Sequence, residues 1–221
     1  MKTRLWKIIF AVLILCAFSL NSSAEIITIG IEARVDNVED YDNLLEGKVT
    51  VGSLITGTYT YDTSTLDTNP ASDIGDYFHY NVPCGIVLNL EDFVFTTDFN
   101  NVKFLVEIAN VSSGFSDTYL IRSYNNLPLD NGVQVDDISW QLEDNTGTAL
   151  SNTELPITAP VLSDWQYDNN LVITGGIGGT PPCYEKTFAI AADVTSAVLI
   201  PEPMSLFLFG LGLLVIRFFK K

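Results

Sequence analysis

Long stretches of this chain alternate apolar and polar residues one for one. In "EIITIGIEARV", Ile27, Ile29, Ile31, Ala33 and Val35 are interleaved with Thr28, Gly30, Glu32 and Arg34. A period of two predicts strands with one buried and one wet face. "KVTVGSLITGTYTYD" continues the pattern, with Val49, Val51, Ile55, Tyr59 and Tyr61 on one face and threonines on the other. Gly52 and Gly57 within it predict a bulge or a bend. Further strands are predicted over 77–82, 86–90, 93–96, 102–109, 119–123, 133–135, 138–143, 171–174 and 186–194. The apolar phase slips between Val135 and Ile138. A one-residue slip turns a strand over, so Asp136-Asp137 is expected to mark a bulge or a break. Turn clusters such as "DTNPASDIGD", "YNNLPLDNG" and "EDNTGT" separate the strands, and "GGIGG" at 175–179 reads as a flexible loop. Only "APVLSDWQ" has room for one short helical turn. The expected fold is therefore all-β, an antiparallel β-sandwich or jelly roll of two sheets.

The two ends break this pattern. Lys2, Arg4 and Lys7 precede an apolar run over 8–20, followed by Asn21-Ser22-Ser23-Ala24. A basic start, an apolar stretch and small residues describe a secretory signal peptide over 1–24, cleaved between Ala24 and Glu25. The run is short for a membrane-spanning alternative. At the other end, 204–216 carries no charge and is followed by Arg217, Lys220 and Lys221. Snorkelling of those bases would let a slightly short helix cross a bilayer. The bases would stay on the cytoplasmic side and the exported body on the other. The folded body is thus one domain, 25–200.

Composition sharpens the picture. The chain has 27 acidic and 11 basic residues and a formal net charge of −16. Only Arg34, Lys48, Lys103, Arg122 and Lys186 are basic within the body. Such a surface repels phosphate backbones, which argues against nucleic acid as a partner. Export removes Cys16 with the signal peptide and leaves Cys84 and Cys183. In oxidising surroundings they are expected either to form a disulfide or to remain two separate buried thiols. A bond would close a loop of about 100 residues and contribute on the order of 4–5 kcal/mol.

The last 21 residues carry a resemblance. Pro201-Glu202-Pro203, an apolar segment containing Gly210 and Gly212, and the basic end at Arg217, Lys220 and Lys221 resemble the PEP-CTERM sorting domain. Met204 directly after the tripeptide, and two phenylalanines inside the basic cluster, depart from its usual form. The resemblance implies export in a Gram-negative bacterium that makes extracellular polysaccharide. It implies as partners signal peptidase and a membrane-embedded exosortase that recognises Pro201-Glu202-Pro203 and removes the tail. A plain, unprocessed C-terminal anchor is the alternative. "TGTYTYDTSTLDTNP" is similar to segments of uncharacterised members and brings no chemistry with it.

The body offers few chemical signatures. Its adjacent acidic pairs, Glu91-Asp92, Asp136-Asp137 and Glu143-Asp144, point to opposite faces of a strand and form no local catalytic dyad. His79, the single histidine, lies between aromatics in "YFHYN", where a packed ring is expected. Nothing resembles a nucleophile elbow. The body is therefore read as non-enzymatic, a cell-surface or extracellular-matrix component. Two binding alternatives remain. Asp36, Asp40 and Asp42 gather oxygen ligands suited to calcium, although the linear calcium-loop template fails at Val38, Tyr41 and Gly47. Trp165 and Tyr167, in "LSDWQYDNN", are the candidate surface rings for stacking on a saccharide of the exopolysaccharide.

Overall fold

The computed structural model describes residues 25–110 and 116–201. The signal segment up to Ala24, and the tail with Glu202, Pro203, Arg217, Lys220 and Lys221, lie outside the described residues. Ten strands form: β1 (Ile26–Glu39), β2 (Leu54–Asp62), β3 (Ile74–His79), β4 (Gly85–Leu90), β5 (Phe93–Thr96), β6 (Phe104–Ala109), β7 (Asp117–Ser123), β8 (Gln134–Asp144), β9 (Asp168–Thr180) and β10 (Cys183–Leu199). A single 3-10 turn, Leu162–Asp164, falls within "APVLSDWQ". Among the described residues, no helix is long and apolar enough to cross a membrane.

The all-β expectation holds, with a difference in layering. The hydrogen bonds make one antiparallel sheet in the order β3-β6-β7-β8-β9-β10-β1-β2-β4-β5, not two separate sheets. That sheet curls until its halves share one core. Tyr59 of β2 meets Trp140 of β8 edge-on at 5.9 Å between ring centroids, although three strands separate β2 from β8 in the sheet. Phe95 of β5 and Phe188 of β10 meet likewise, at 6.2 Å. The right-handed twist of strands, accumulated over this width, brings such positions face to face. A fully buried aromatic side chain stabilises by roughly 1.5–3 kcal/mol, so Tyr59, Tyr119, Trp140 and Phe188 anchor the closure. Their polar atoms are matched: the Tyr59 and Tyr119 hydroxyls lie 2.9 Å apart, and Trp140 Nε1 donates to Asn169 Oδ1 at 2.9 Å.

Flanking segments cap part of each sheet edge, which blunts edge-to-edge association. Along β3, Thr68 N donates to the Asp76 carbonyl and Asp76 N to Asp67 Oδ1, each at 2.9 Å. Beyond β5, Thr97 bridges to Asn126, and its hydroxyl lies 2.8 Å from that of Ser123. The chain's entry and exit are neighbours, since Ile200 N donates to the Thr28 carbonyl at 2.8 Å.

Local departures from the sequence reading have local causes. The slip at Asp136-Asp137 is a bulge inside one continuous β8, between Val135 and Asp137. Gly57 is no bend: β2 runs in register past it, and a Cβ there would stand 2.0 Å from the Val87 carbonyl oxygen. Val51 lies outside β2 in a turn and is exposed. "GGIGG" is not a loop but part of β9. Its glycines make room for rings: a Cβ on Gly175 would meet Phe188, and one on Gly176 would meet Tyr184, both at 2.6 Å.

Candidate functional site

The bulges and the glycine strip meet at one end of the sheet and leave a cleft of about 330 Å³ there. Phe188, 2% exposed, forms its floor with Gly175 and Ala189. Tyr184 at the start of β10 and Pro182 in the turn before it form one wall. Tyr41, just beyond β1, stands at the mouth and is 92% exposed. Glu39 and Asp136 supply carboxylates, Thr174 and Thr187 hydroxyls.

Asp136 reaches the cleft because of the β8 bulge. Val135 pairs with Gly175 and Asp137 with Thr174, so Asp136 is the extra residue without a partner across the ladder. A bulge re-aims its side chain in this manner. The Tyr184 hydroxyl is shielded from solvent and has no partner in the protein. Burial raises its pKa first, and the nearby Asp136 charge adds to that. The cleft thus presents ring faces, hydroxyls and hydrogen-bond acceptors, and no basic residue lines it.

The structure separates the other candidate residues. Trp165 is not a surface ring: it is 7% exposed and packs against Tyr119 at 6.3 Å, because the 3-10 turn folds it back onto the core. Tyr167 is 63% exposed but lies away from the cleft lining. Asp36, Asp40 and Asp42 are not assembled into a metal site; among the described residues, no cluster of three acidic, histidine or cysteine ligands occurs. Asp36 is the extra residue of a bulge in β1. Asp40 uses both oxygens to accept from Leu44 N at 2.7 Å and Leu45 N at 2.8 Å. Asp42 faces Lys186 at 3.7 Å.

Cys84, buried, and Cys183, exposed, are free thiols, and the disulfide expectation is corrected. Topology keeps them apart. Cys84 adjoins Gly85, which pairs with Thr60, itself paired with Thr28 near the start of β1. Cys183 lies beyond Ala189, which pairs with Glu39 at the far end of β1. The stretch of β1 from Thr28 to Glu39 spans roughly 36 Å at ~3.3 Å per residue, whereas bridged Cα atoms lie within ~7 Å. At the ends of the body, Glu25 is exposed, with its N–H on Thr63 Oγ1 at 3.1 Å, and Pro201 is exposed too.

Carboxylate pairs do occur, assembled across strands where sequence spacing gives no signal. Asp117 of β7 lies directly opposite Asp144 of β8, and both are buried. Asp144 accepts from the N–H groups of Thr148, Thr146 and Ala149, and the bonds from Thr148 and then Thr146 hold its carboxyl far below the usual carboxylate range. Asp76 of β3 lies opposite Glu107 of β6. Burial, then the Asp76 charge, raises the Glu107 pKa. Neither pair lines the cleft.

His79 is packed as expected, between the rings of Tyr61 and Phe104. Its Nδ1 lies 2.8 Å from Thr65 Oγ1, and Nε2 is buried without a partner. Burial lowers its pKa to about 4 and raises that of Cys84, on the same small cavity, to about 11. A neutral imidazole beside a protonated thiol is no activated nucleophile. Comparison with protein-family models, with curated proteins and with solved structures finds no match for this chain.

Proposed function

We propose that this protein is an exported, non-enzymatic component of the cell surface or extracellular matrix of a Gram-negative bacterium. Export begins at the signal segment 1–24, and the tail 201–221 holds the chain in the membrane until an exosortase cuts near Pro201-Glu202-Pro203. The observation that carries this reading is the pairing of a secretory start with that tripeptide, apolar run and basic end, around an acidic strand-built body. The buried carboxylates and His79 act within this reading as structural groups. The saturated oxygens of Asp144 and the apolar packing of His79 support that assignment.

Intact-mass measurement on protein recovered from the cell surface and the medium tests the proposal. The expected species begins at Glu25 and lacks everything from Met204 onward, and deletion of the exosortase returns the full tail. A surface species that keeps Met204 to Lys221 in the presence of the exosortase overturns it.

A further inference from the structure

We infer that the cleft between the β8 bulge and the β9–β10 hairpin is a saccharide site, shaped for a neutral or amino-substituted pyranose and closed to uronic acids. A pyranose has an apolar C–H face and an equatorial rim of hydroxyls. The cleft supplies the complement of each. Tyr41, almost fully exposed at the mouth, offers a ring face to stack upon, and Phe188 gives an apolar floor. Glu39 and Asp136 can only accept hydrogen bonds when ionised, which matches hydroxyl or ammonium donors on a ligand.

The bulge and the size of the cleft take this beyond a cluster of acids and rings. Asp136 is the unpaired residue of a bulge, so backbone irregularity is maintained at the point where its side chain meets the cleft. The Tyr184 hydroxyl is closed off from solvent and so is not offered to a ligand; the polar contacts fall to Glu39, Asp136, Thr174 and Thr187 of the lining. The volume of about 330 Å³ lies at the lower end for ligand sites, which favours one or two sugar units over a long tract.

Charge decides the class of sugar. Among the described residues no lysine, arginine or histidine lines the cleft, and the chain carries a net charge of −16. A uronate or sulfated sugar would meet two carboxylates without a counter-charge. An amino sugar would gain both the carboxylates and the ring faces. The inference is independent of tail processing, because an uncut chain would present the same cleft.

The full chain, purified in a detergent without a sugar headgroup, is applied to an array of neutral, amino and uronic oligosaccharides. Affinities of the retained glycans are then measured by titration calorimetry. Neutral or amino glycans are expected to bind and polyuronates to fail. Tyr41→Ala should weaken binding about tenfold, the loss of one stacked ring, with an unchanged circular dichroism spectrum, since Tyr41 touches little of the fold. Asp136→Asn should weaken an amino glycan more than a neutral one. Tyr167→Ala, an exposed ring elsewhere, should leave affinity within twofold. Retention of no glycan, equal binding of polyuronates, or indifference to Tyr41→Ala overturns the inference. So does a Tyr41-dependent self-association in place of glycan binding.

Discussion

His79 stands on the inner side of β3 with Nδ1 bonded to the Thr65 hydroxyl and Nε2 bare. The folded protein therefore resists its protonation, and the pKa falls from 6.5 to about 4. The sign follows from linkage. Between those values the unfolded chain binds a proton that the folded chain does not, so folding weakens as pH drops through that window. Above pH 6.5 both states are neutral and the term is constant. The loss on acidification from pH 6.5 to 4 should be on the order of 3 kcal/mol. Urea unfolding of wild type and His79→Gln at several pH values checks this. The variant should show a flatter slope in that window, and an unchanged slope would remove His79 as the cause. The reading of His79 as a packed ring, made from the aromatics around it, was correct because the strand pleat puts His79 on the same inner face as Tyr77. The reading of Trp165 failed because three residues of 3-10 turn reverse its direction, and no period marks so short an element.

At the scale of elements, β9 holds the most informative error. Glycine repeats in sequence signal flexibility, yet Gly175 and Gly176 lie in a paired strand with rings laid across them. Glycine is used there for close approach. Gly175→Ala would put a Cβ 2.0 Å from the Gln134 carbonyl oxygen and 2.6 Å from the Phe188 ring. It should destabilise by about 1–3 kcal/mol through overpacking, measured by chemical denaturation, and it should narrow the cleft. A stability change within about 0.5 kcal/mol, the range usual for unconstrained surface positions, would mean that the strip is loose after all. The bulge in β8, by contrast, was visible as a phase slip. Alternation is set by the pleat, so a one-residue insertion must appear as a reversal of phase.

At the scale of the whole molecule, the curled sheet sets which distant residues can meet. Cys84 and Cys183 sit toward opposite ends of β1, and the body 25–200 should keep both thiols. Cys183, exposed at the β9–β10 turn, should react with a thiol reagent in the native state. Cys84, buried and with its pKa raised to about 11 by that burial, should react only after unfolding. Thiol titration with and without denaturant measures this; failure to find two thiols in denaturant would restore the disulfide. The same curling places Tyr59 against Trp140, whereas β8, β9, β10 and β1 line the cleft as direct neighbours in the sheet. Direct pairing of β1 with β10 sets entry and exit side by side.

What the sequence determined by itself is whatever depends on neighbours along the chain. The period of two specified the inward residues of β1, including Ile27, Ile29, Ile31, Ala33 and Val35, because successive side chains must alternate across a pleat. Acidic composition and the terminal segments shaped the expectations about partners and export. What only the tertiary structure decided is whatever depends on strand order. One sheet rather than two, free cysteines rather than a bond, opposed carboxylates at Asp117–Asp144 and Asp76–Glu107, and a cleft at Tyr41, Asp136 and Tyr184 all arise from pairings between distant segments. Alternation states which way a side chain faces, but not which strand lies beside it, and chemistry between strands is written only in that adjacency.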